Sequence, residues 1–313
     1  MIAATPVVSV LIPCYNAARY IRAALDSLVD QSMQSWEAIV VDDASTDASR
    51  DIVASFSDSR VRLLANSRNS GPSASRNRAL AAARGYWVAV LDADDEFKPG
   101  RLDALLSAAE IRSADAVIDN LEVFEDGSQR VTGDWFSQYG VPVTEVRVVD
   151  PVFFVKHEIG VAKALIRREF LTRHGIEYDR ETKYGEDFLL YFQLLQARAR
   201  FIAVPDALYR LRRGETNSLT TNHLLLVERV IQLNQRVLNT VDAQHEPALK
   251  SALERRLAEL EVLRRYHHVI SPLRRRQFAA AASAVVSDPG AIFCVVQQIT
   301  RRARQRFIKP FTT

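Results

Sequence analysis

Three carboxylates, Asp92-Ala93-Asp94-Asp95, follow directly on the apolar run Tyr86-Trp87-Val88-Ala89-Val90-Leu91. Two unit charges about 4 Å apart repel by roughly 4 kcal/mol at an effective dielectric near 20. Acids converging at the end of a buried strand therefore call for a cation, and a divalent metal with oxygen ligands is one candidate. A solvated Asp-rich turn that caps the next helix is the plainer alternative. A second acidic set, Asp42-Asp43-Ala44-Ser45-Thr46-Asp47, ends the run Val40-Val41, and helix capping competes with ligand binding at each of these acids. A third set, Glu186-Asp187, follows a glycine turn at Tyr184-Gly185. The first turn of a helix favours the ionised form of such acids, which suits proton abstraction. Tyr15 offers a flat face for stacking a nucleobase, and an acid such as Asp43 can accept a hydrogen bond from a ring N–H, a donor that uracil has.

Elements of alternating type must position these groups. Short apolar, β-branched runs at 7–13, 36–41, 61–64 and 86–91 alternate with helical periodicity at 17–30, from Ser45, at 72–84 and from Pro99. That alternation predicts βαβ units and an α/β fold with a Rossmann-like, mostly parallel sheet. Its strands are continuously apolar, so helices should cover both faces. Past residues 115–124 the pattern loosens into antiparallel pieces at 129–135 and 143–149, then a strand at 163–167 and a helix at 186–198. Leucines at three- and four-residue spacing after position 223 predict a C-terminal helical appendage. The expected organisation is a catalytic domain over 1–222, with a nucleotide-binding half (1–115) and an acceptor-side half (116–222), followed by a basic helical region (223–313). Asp288-Pro289 reads as the start of a last helix that ends in Arg301-Arg302-Ala303-Arg304, and His267-His268 read as surface residues.

With 313 residues and 48% hydrophobic content, the chain can bury a sizeable core. A formal net charge of +3 points to no nucleic-acid partner. Cys14 and Cys294 lie too far apart in sequence to suggest a disulfide or metal framework, which fits a reducing compartment such as the cytoplasm. No run reaches membrane-spanning length, because Ser287-Asp288-Pro289-Gly290 interrupts residues 278–296.

A doubly wound sheet invites a dinucleotide reading, but the loop after the first strand, Pro13-Cys14-Tyr15-Asn16-Ala17-Ala18, contains no glycine. The close backbone approach to a pyrophosphate used by glycine-rich loops is absent. A nucleotide diphosphate could still be held if a metal bridged it to the carboxylates.

Four segments in order carry a family resemblance: Val8-Ser9-Val10-Leu11-Ile12-Pro13-Cys14-Tyr15-Asn16, Val40-Val41-Asp42-Asp43-Ala44-Ser45-Thr46-Asp47, Asn69-Ser70-Gly71-Pro72-Ser73-Ala74-Ser75-Arg76-Asn77 and Leu91-Asp92-Ala93-Asp94-Asp95. Together they resemble the family 2 inverting glycosyltransferases of bacterial polysaccharide biosynthesis. The resemblance implies a glycosyltransferase A fold, a UDP-sugar donor, Mn²⁺ or Mg²⁺, and a glycan or lipid-linked saccharide acceptor. Carried over by position, it implies that Pro13, Tyr15, Asp42 and Asp43 hold the base, that Arg76 lies near the diphosphate or ribose, and that Asp92 faces the ribose. Asp94 would be the principal metal ligand, with Asp95 supporting or sharing that role. Asp187 would be the general base and Glu186 would contact the acceptor or orient the base. Residues 209–213 and Asn217-Ser218-Leu219-Thr220 resemble a closing segment over the donor, with strand pairing at the sheet edge as the alternative.

Glucose is the first sugar to test. Two rivals stay open: a noncatalytic nucleotide-sugar-binding assembly subunit and a sugar-phosphate nucleotidyltransferase. From Arg255 onward arginines far outnumber acids. This basic tail reads either as a solvated face packed on protein or as a surface that holds the enzyme at the inner face of the cytoplasmic membrane.

Overall fold

In the computed structural model, which describes residues 5–157, 159–214 and 223–297, the apolar runs become parallel strands and the periodic segments become helices. The first part runs β1 (Val8–Cys14), α1 (Ile21–Val29), β2 (Trp36–Asp42), α2 (Ser49–Ala54), β3 (Val61–Ala65), α3 (Pro72–Ala82), β4 (Trp87–Val90), β5 (Glu96–Phe97) and α4 (Arg101–Arg112). There follow β6 (Ala116–Glu125), β7 (Val131–Asp134), α5 (Trp135–Tyr139), β8 (Arg147–Val148), α6 (Pro151–His157), a 3-10 turn at Ile159–Val161, β9 (Leu165–Arg167), α7 (Arg168–His174), α8 (Glu186–Gln196) and β10 (Phe201–Arg213).

The sheet order is β3-β2-β1-β4-β9-β6-β10-β5, with β7 beside β6 and β8 beside β10. The first four strands are parallel, as expected. β2 and β4 are buried along their whole length, which is what covering both faces requires. β9 runs antiparallel to both β4 and β6, so this one short strand reverses direction in the middle of the sheet. Cys14 of β1 pairs with Asp42 of β2, so the residues that follow both strands emerge at the same carboxyl edge. That edge is where open α/β sheets bind ligands. Pro13 sits beyond Leu11, the last β1 residue in register with β4, so its missing N–H interrupts no pairing on that side.

The chain divides into two compact units, 1–215 and 216–313. The expected boundary at Asn222 and the segment 217–220 lie outside the described residues. In the second unit, α9 (His223–Leu238) and α10 (Pro247–Arg274) pack through Val227, Ile231 and Leu260, followed by α11 (Phe278–Ser287). A further segment, Ala291–Gln297, is bent by 109° from α11, so the predicted interruption at 287–290 is a sharp corner. No single helix among the described residues is long and apolar enough to cross a membrane. The expected arginine-rich end of the last helix, Arg301 to Arg304, lies outside the described residues. His267 corrects the surface reading: it is 6% exposed, with its ring stacked on His223 and edge-on to Tyr266. The leucine period does not distinguish it from exposed His268, because both neighbours continue one helix.

Candidate active site

The loops after β1 and β2 are locked to each other. Asn16 has a left-handed φ of 50°, and its Oδ1 accepts the Thr46 amide at 2.8 Å. Asp47 accepts the Ala18 amide at 3.0 Å and the Ser49 amide at 2.9 Å, so it ties the start of α2 to the β1 loop. Tyr15 is 49% exposed in the loop after β1.

Asp42 and Asp43 are both buried but differ in setting. Asp42 Oδ2 accepts the Ser45 amide at 3.4 Å, whereas its buried Oδ1 has no hydrogen-bond partner among the described residues. Asp43 is fully engaged. Its carboxylate accepts Asn66 Nδ2 at 2.6 Å, the Ser70 amide at 3.0 Å and the Gly71 amide at 2.7 Å. The acid expected to read a ring N–H therefore anchors the loop before α3, and the orphaned acceptor on this edge is Asp42.

Arg76 projects from the second turn of α3 and is 3% exposed. It donates to Asp92 Oδ1 at 2.7 Å and to Glu186 Oε1 at 2.8 Å, with its guanidinium 5.3 Å from the centre of the Tyr178 ring. Lys163, between the 3-10 turn and β9, completes the group: its Nζ lies 2.9 Å from Asp92 Oδ2 and 2.6 Å from Asp187 Oδ2. Two cations thus join three acids from α3, the β4 end, the β9 approach and the start of α8. Sequence reasoning missed Lys163. The signal was present, because a lone lysine inside Val161-Ala162-Lys163-Ala164-Leu165-Ile166 is seldom buried without a partner.

Burial alone would raise the Asp92 carboxyl, but Lys163 and Arg76 outweigh it and hold the group well below the usual carboxylate range. Burial likewise opposes Glu186, and Arg76 with Lys163 again brings it down. Asp187 moves the other way. Its burial outweighs Lys163, a cation it shares with Asp92, and the carboxyl lies above its ordinary value. Burial works against the Lys163 charge, yet Asp187 and Asp92 together keep it protonated. The second oxygen of Asp187, Oδ1, is buried and has no hydrogen-bond partner among the described residues.

Gly185, with a φ of 83°, supplies the left-handed turn into α8, as its place before Glu186-Asp187 suggests. Gly160 sets how closely the 3-10 turn approaches that helix. A Cβ there would stand 2.9 Å from Phe188 Cβ and 3.0 Å from Phe188 Cα.

The turn after β4 is clamped by β10. Tyr209 Oη donates to Asp95 Oδ2 at 2.7 Å and accepts the Asp92 amide at 3.2 Å. The Arg212 amide donates to Asp95 Oδ1 at 2.8 Å, and Arg212 Nε donates to the Asp94 carbonyl at 2.7 Å. Both oxygens of Asp95 are therefore taken by protein donors, and burial beside Asp94 and Asp92 pushes its carboxyl well above the ordinary value. Residues 209–213 form part of β10, paired with β5 and β6, which is the strand alternative to a closing segment.

A dedicated metal cage does not fit: among the described residues no group of three or more His, Cys, Asp or Glu side chains is arranged to hold an ion. A metal carried in with a diphosphate does fit. Mg²⁺-type sites for nucleotides use one or two carboxylates plus phosphate oxygens. Asp94, half-buried at the sheet edge, can supply such a carboxylate.

Comparison with known proteins gives long and consistent likenesses. The chain is 31% identical to the succinoglycan biosynthesis protein ExoO of Rhizobium meliloti over 97% of its own length and 89% of the relative's. It is also 31% identical to ExoU of the same organism, over 98% and 91%. Over 39% of this chain and 48% of the relative, it is 36% identical to UDP-Glc:alpha-D-GlcNAc-diphosphoundecaprenol beta-1,3-glucosyltransferase WfgD of Escherichia coli. Among solved structures, S. aureus TarS residues 1–349 with UDP-GlcNAc superposes with a TM-score of 0.59 at 19% identity, covering 90% of each chain. The mannosyltransferase PcManGT of Pyrobaculum calidifontis with GDP-Man and Mn²⁺ gives 0.58 at 21% identity, covering 96% of this chain and 81% of that one. These likenesses carry the glycosyltransferase A fold. Residues 9–175 match the glycosyl transferase family 2 domain, a span that contains Pro13 to Lys163 of the site and stops short of Glu186-Asp187. The chain belongs to glycosyl transferase family 2.

Proposed function

We propose that the protein is an inverting hexosyltransferase that moves a sugar from a UDP donor to a hydroxyl of a glycan or lipid-linked saccharide in bacterial polysaccharide synthesis. One observation carries the reading. The Asp92 end of the parallel sheet and the Asp187 start of α8 meet in one buried charge group, so a donor-side acid and an acceptor-side acid share a site. The long ExoO and ExoU relatives support the polysaccharide setting, and UDP-GlcNAc in the TarS structure supports a uridine nucleotide. The name of WfgD supports glucose as the first sugar and a lipid-linked acceptor as the first acceptor to test.

Base recognition falls to Tyr15 by stacking, to Pro13 as the rigid floor of the edge, and to Asp42, whose buried Oδ1 wants a donor such as the uracil ring N–H. Asp43 shapes that pocket by holding Ser70 and Gly71. In the transfer, the acceptor oxygen forms its bond to the anomeric carbon while the bond from that carbon to the β-phosphate oxygen breaks, and its electron pair leaves with UDP. The acceptor hydroxyl proton goes to Asp187 Oδ1, the oxygen left free by the Lys163 bond. Glu186 keeps Arg76 in place on the donor side. Mn²⁺ or Mg²⁺, when bound by Asp94 and the diphosphate, offsets charge on the leaving group.

A panel of nucleotide sugars with Mn²⁺ or Mg²⁺, scored for hydrolysis and thermal stabilisation, tests the donor. UDP-glucose is expected to stabilise the protein in a metal-dependent way that Asp94→Ala abolishes. No stabilisation by any uridine nucleotide would favour the binding-subunit reading.

Contact with an anionic membrane is the proposed setting for a lipid-linked acceptor. In the second unit, Phe278, Val286, Ile292, Phe293 and Val296 are exposed, as are Arg274-Arg275-Arg276. Phe307 and Phe311, also expected to meet headgroups, lie outside the described residues. Co-sedimentation with vesicles containing anionic lipid is expected, and loss of residues after Ser271 is expected to abolish it. Unchanged sedimentation would remove the membrane role.

A further inference from the structure

Lys163 lies outside regular structure, yet the backbone on both sides of it is held by side chains. Tyr191, from the same helix as Asp187, donates its hydroxyl to the Ala162 carbonyl at 2.9 Å and accepts the Ala164 amide at 3.0 Å. The Lys163 carbonyl, in the same peptide as the Ala164 amide, accepts Arg101 Nη2 at 2.6 Å. Arg101 is fixed in turn by Asp119, with both side chains wholly buried. The peptide before Lys163 is therefore pinned to α8, and the peptide after it to both α8 and α4. The side chain can reach Asp92 and Asp187 without searching for them.

We propose that Lys163 is a positioning residue that sets both the orientation and the proton affinity of the base, and that links the base to the donor-side acid Asp92. The proposal rests on the reading of Asp187 as the base. Lys163 holds Oδ2 and so presents Oδ1 to the acceptor. Its charge also favours the ionised carboxylate against burial and against the other acids in the group. The groups facing Asp187 are Lys163, Arg76, Asp92, Glu186, Tyr178 and Tyr191. Of these, only Lys163 donates a hydrogen bond to it among the described residues. Arg76 is held by Asp92 and Glu186, so removing Lys163 leaves no second cation in hydrogen-bond contact with the base among the described residues.

The test compares Lys163→Met, Lys163→Gln and Lys163→Arg with the full-length protein. The midpoint of Asp187 is read from carboxyl ¹³C shifts in aspartate-labelled protein, a measurement that needs no substrate. Lys163→Met is expected to raise that midpoint by at least one pH unit, and Lys163→Arg to leave it within a few tenths. Lys163→Gln, which keeps a polar donor, serves if the methionine variant fails to fold. In transfer assays with UDP-glucose, kcat is expected to fall about 100-fold for Lys163→Met while KM for the donor changes less than threefold, with recovery in Lys163→Arg. An unmoved midpoint, or a loss carried by donor KM alone, overturns the proposal. If the wild type accepts no UDP-sugar, the functional reading fails by itself, and the carboxyl titration still decides the role of Lys163.

Discussion

Asp119→Leu tests how strongly the fold depends on the buried ion pair beneath the site. Arg101 Nε and Nη2 reach the two Asp119 oxygens at 2.8 and 2.7 Å, and neither side chain has any exposed surface. Removing one partner of such a pair leaves an uncompensated buried charge, at a cost of about 3–5 kcal/mol. For a unit of roughly 200 residues each kcal/mol moves the melting temperature by about 2–4 °C, so the variant should melt on the order of 10 °C lower. Replacing both residues, Arg101→Met with Asp119→Leu, removes the charge together with its partner and should return most of that loss. The double variant still lacks the donor to the Lys163 carbonyl, so transfer should stay depressed after stability recovers. Calorimetry and transfer assays on the single and double variants separate the two effects. A single variant that loses less than about 1 kcal/mol, or a double variant no more stable than the single one, would refute the reasoning.

Gly160→Ala should force α8 outward, because the new Cβ meets Phe188 backbone at 3.0 Å. We expect a loss of about 1–3 kcal/mol in stability and a roughly tenfold lower kcat, since Asp187 is the neighbouring residue; an unaltered kcat would detach the base from the seating of its helix. Glu37 is buried with Ser9, Arg62 and Arg84 around it, and although burial raises its carboxyl, those donors bring it below the usual 4.5. Its stabilisation is therefore present above that value and is lost as pH falls through the lower folded value. Glu37→Gln should flatten the acid side of a stability curve measured by denaturant titration, and an identical curve would contradict the sign.

The parallel half of the fold was legible because its strands are buried on both faces and read as unbroken apolar runs bounded by helix starts. The reversal at β9 was not, since three residues of strand carry no mark of direction. The acids at the three element ends were legible by type, but their partners were not. Asp42 and Asp43 are adjacent and alike in sequence, and only the loop returning from β3 decides that Asp43 is engaged while Asp42 keeps an open oxygen. The donors to Asp95, Tyr209 and Arg212, reach it from more than a hundred positions away, beyond any local pattern. The fold, not the neighbouring sequence, also supplies the counter-charges for Asp92. The cluster needs cations, and the chain supplies two of them itself, Arg76 and Lys163.

The most direct measurement is UDP-sugar transfer by Asp187→Asn, taken beside its affinity for UDP. The amide is close to the carboxylate in size and keeps an oxygen for Lys163, but it cannot take the acceptor proton. Affinity for UDP should stay near that of the wild type, while kcat should fall by about 10²–10⁴-fold. Transfer at the normal rate by this variant would contradict the assignment of the base and with it the central claim.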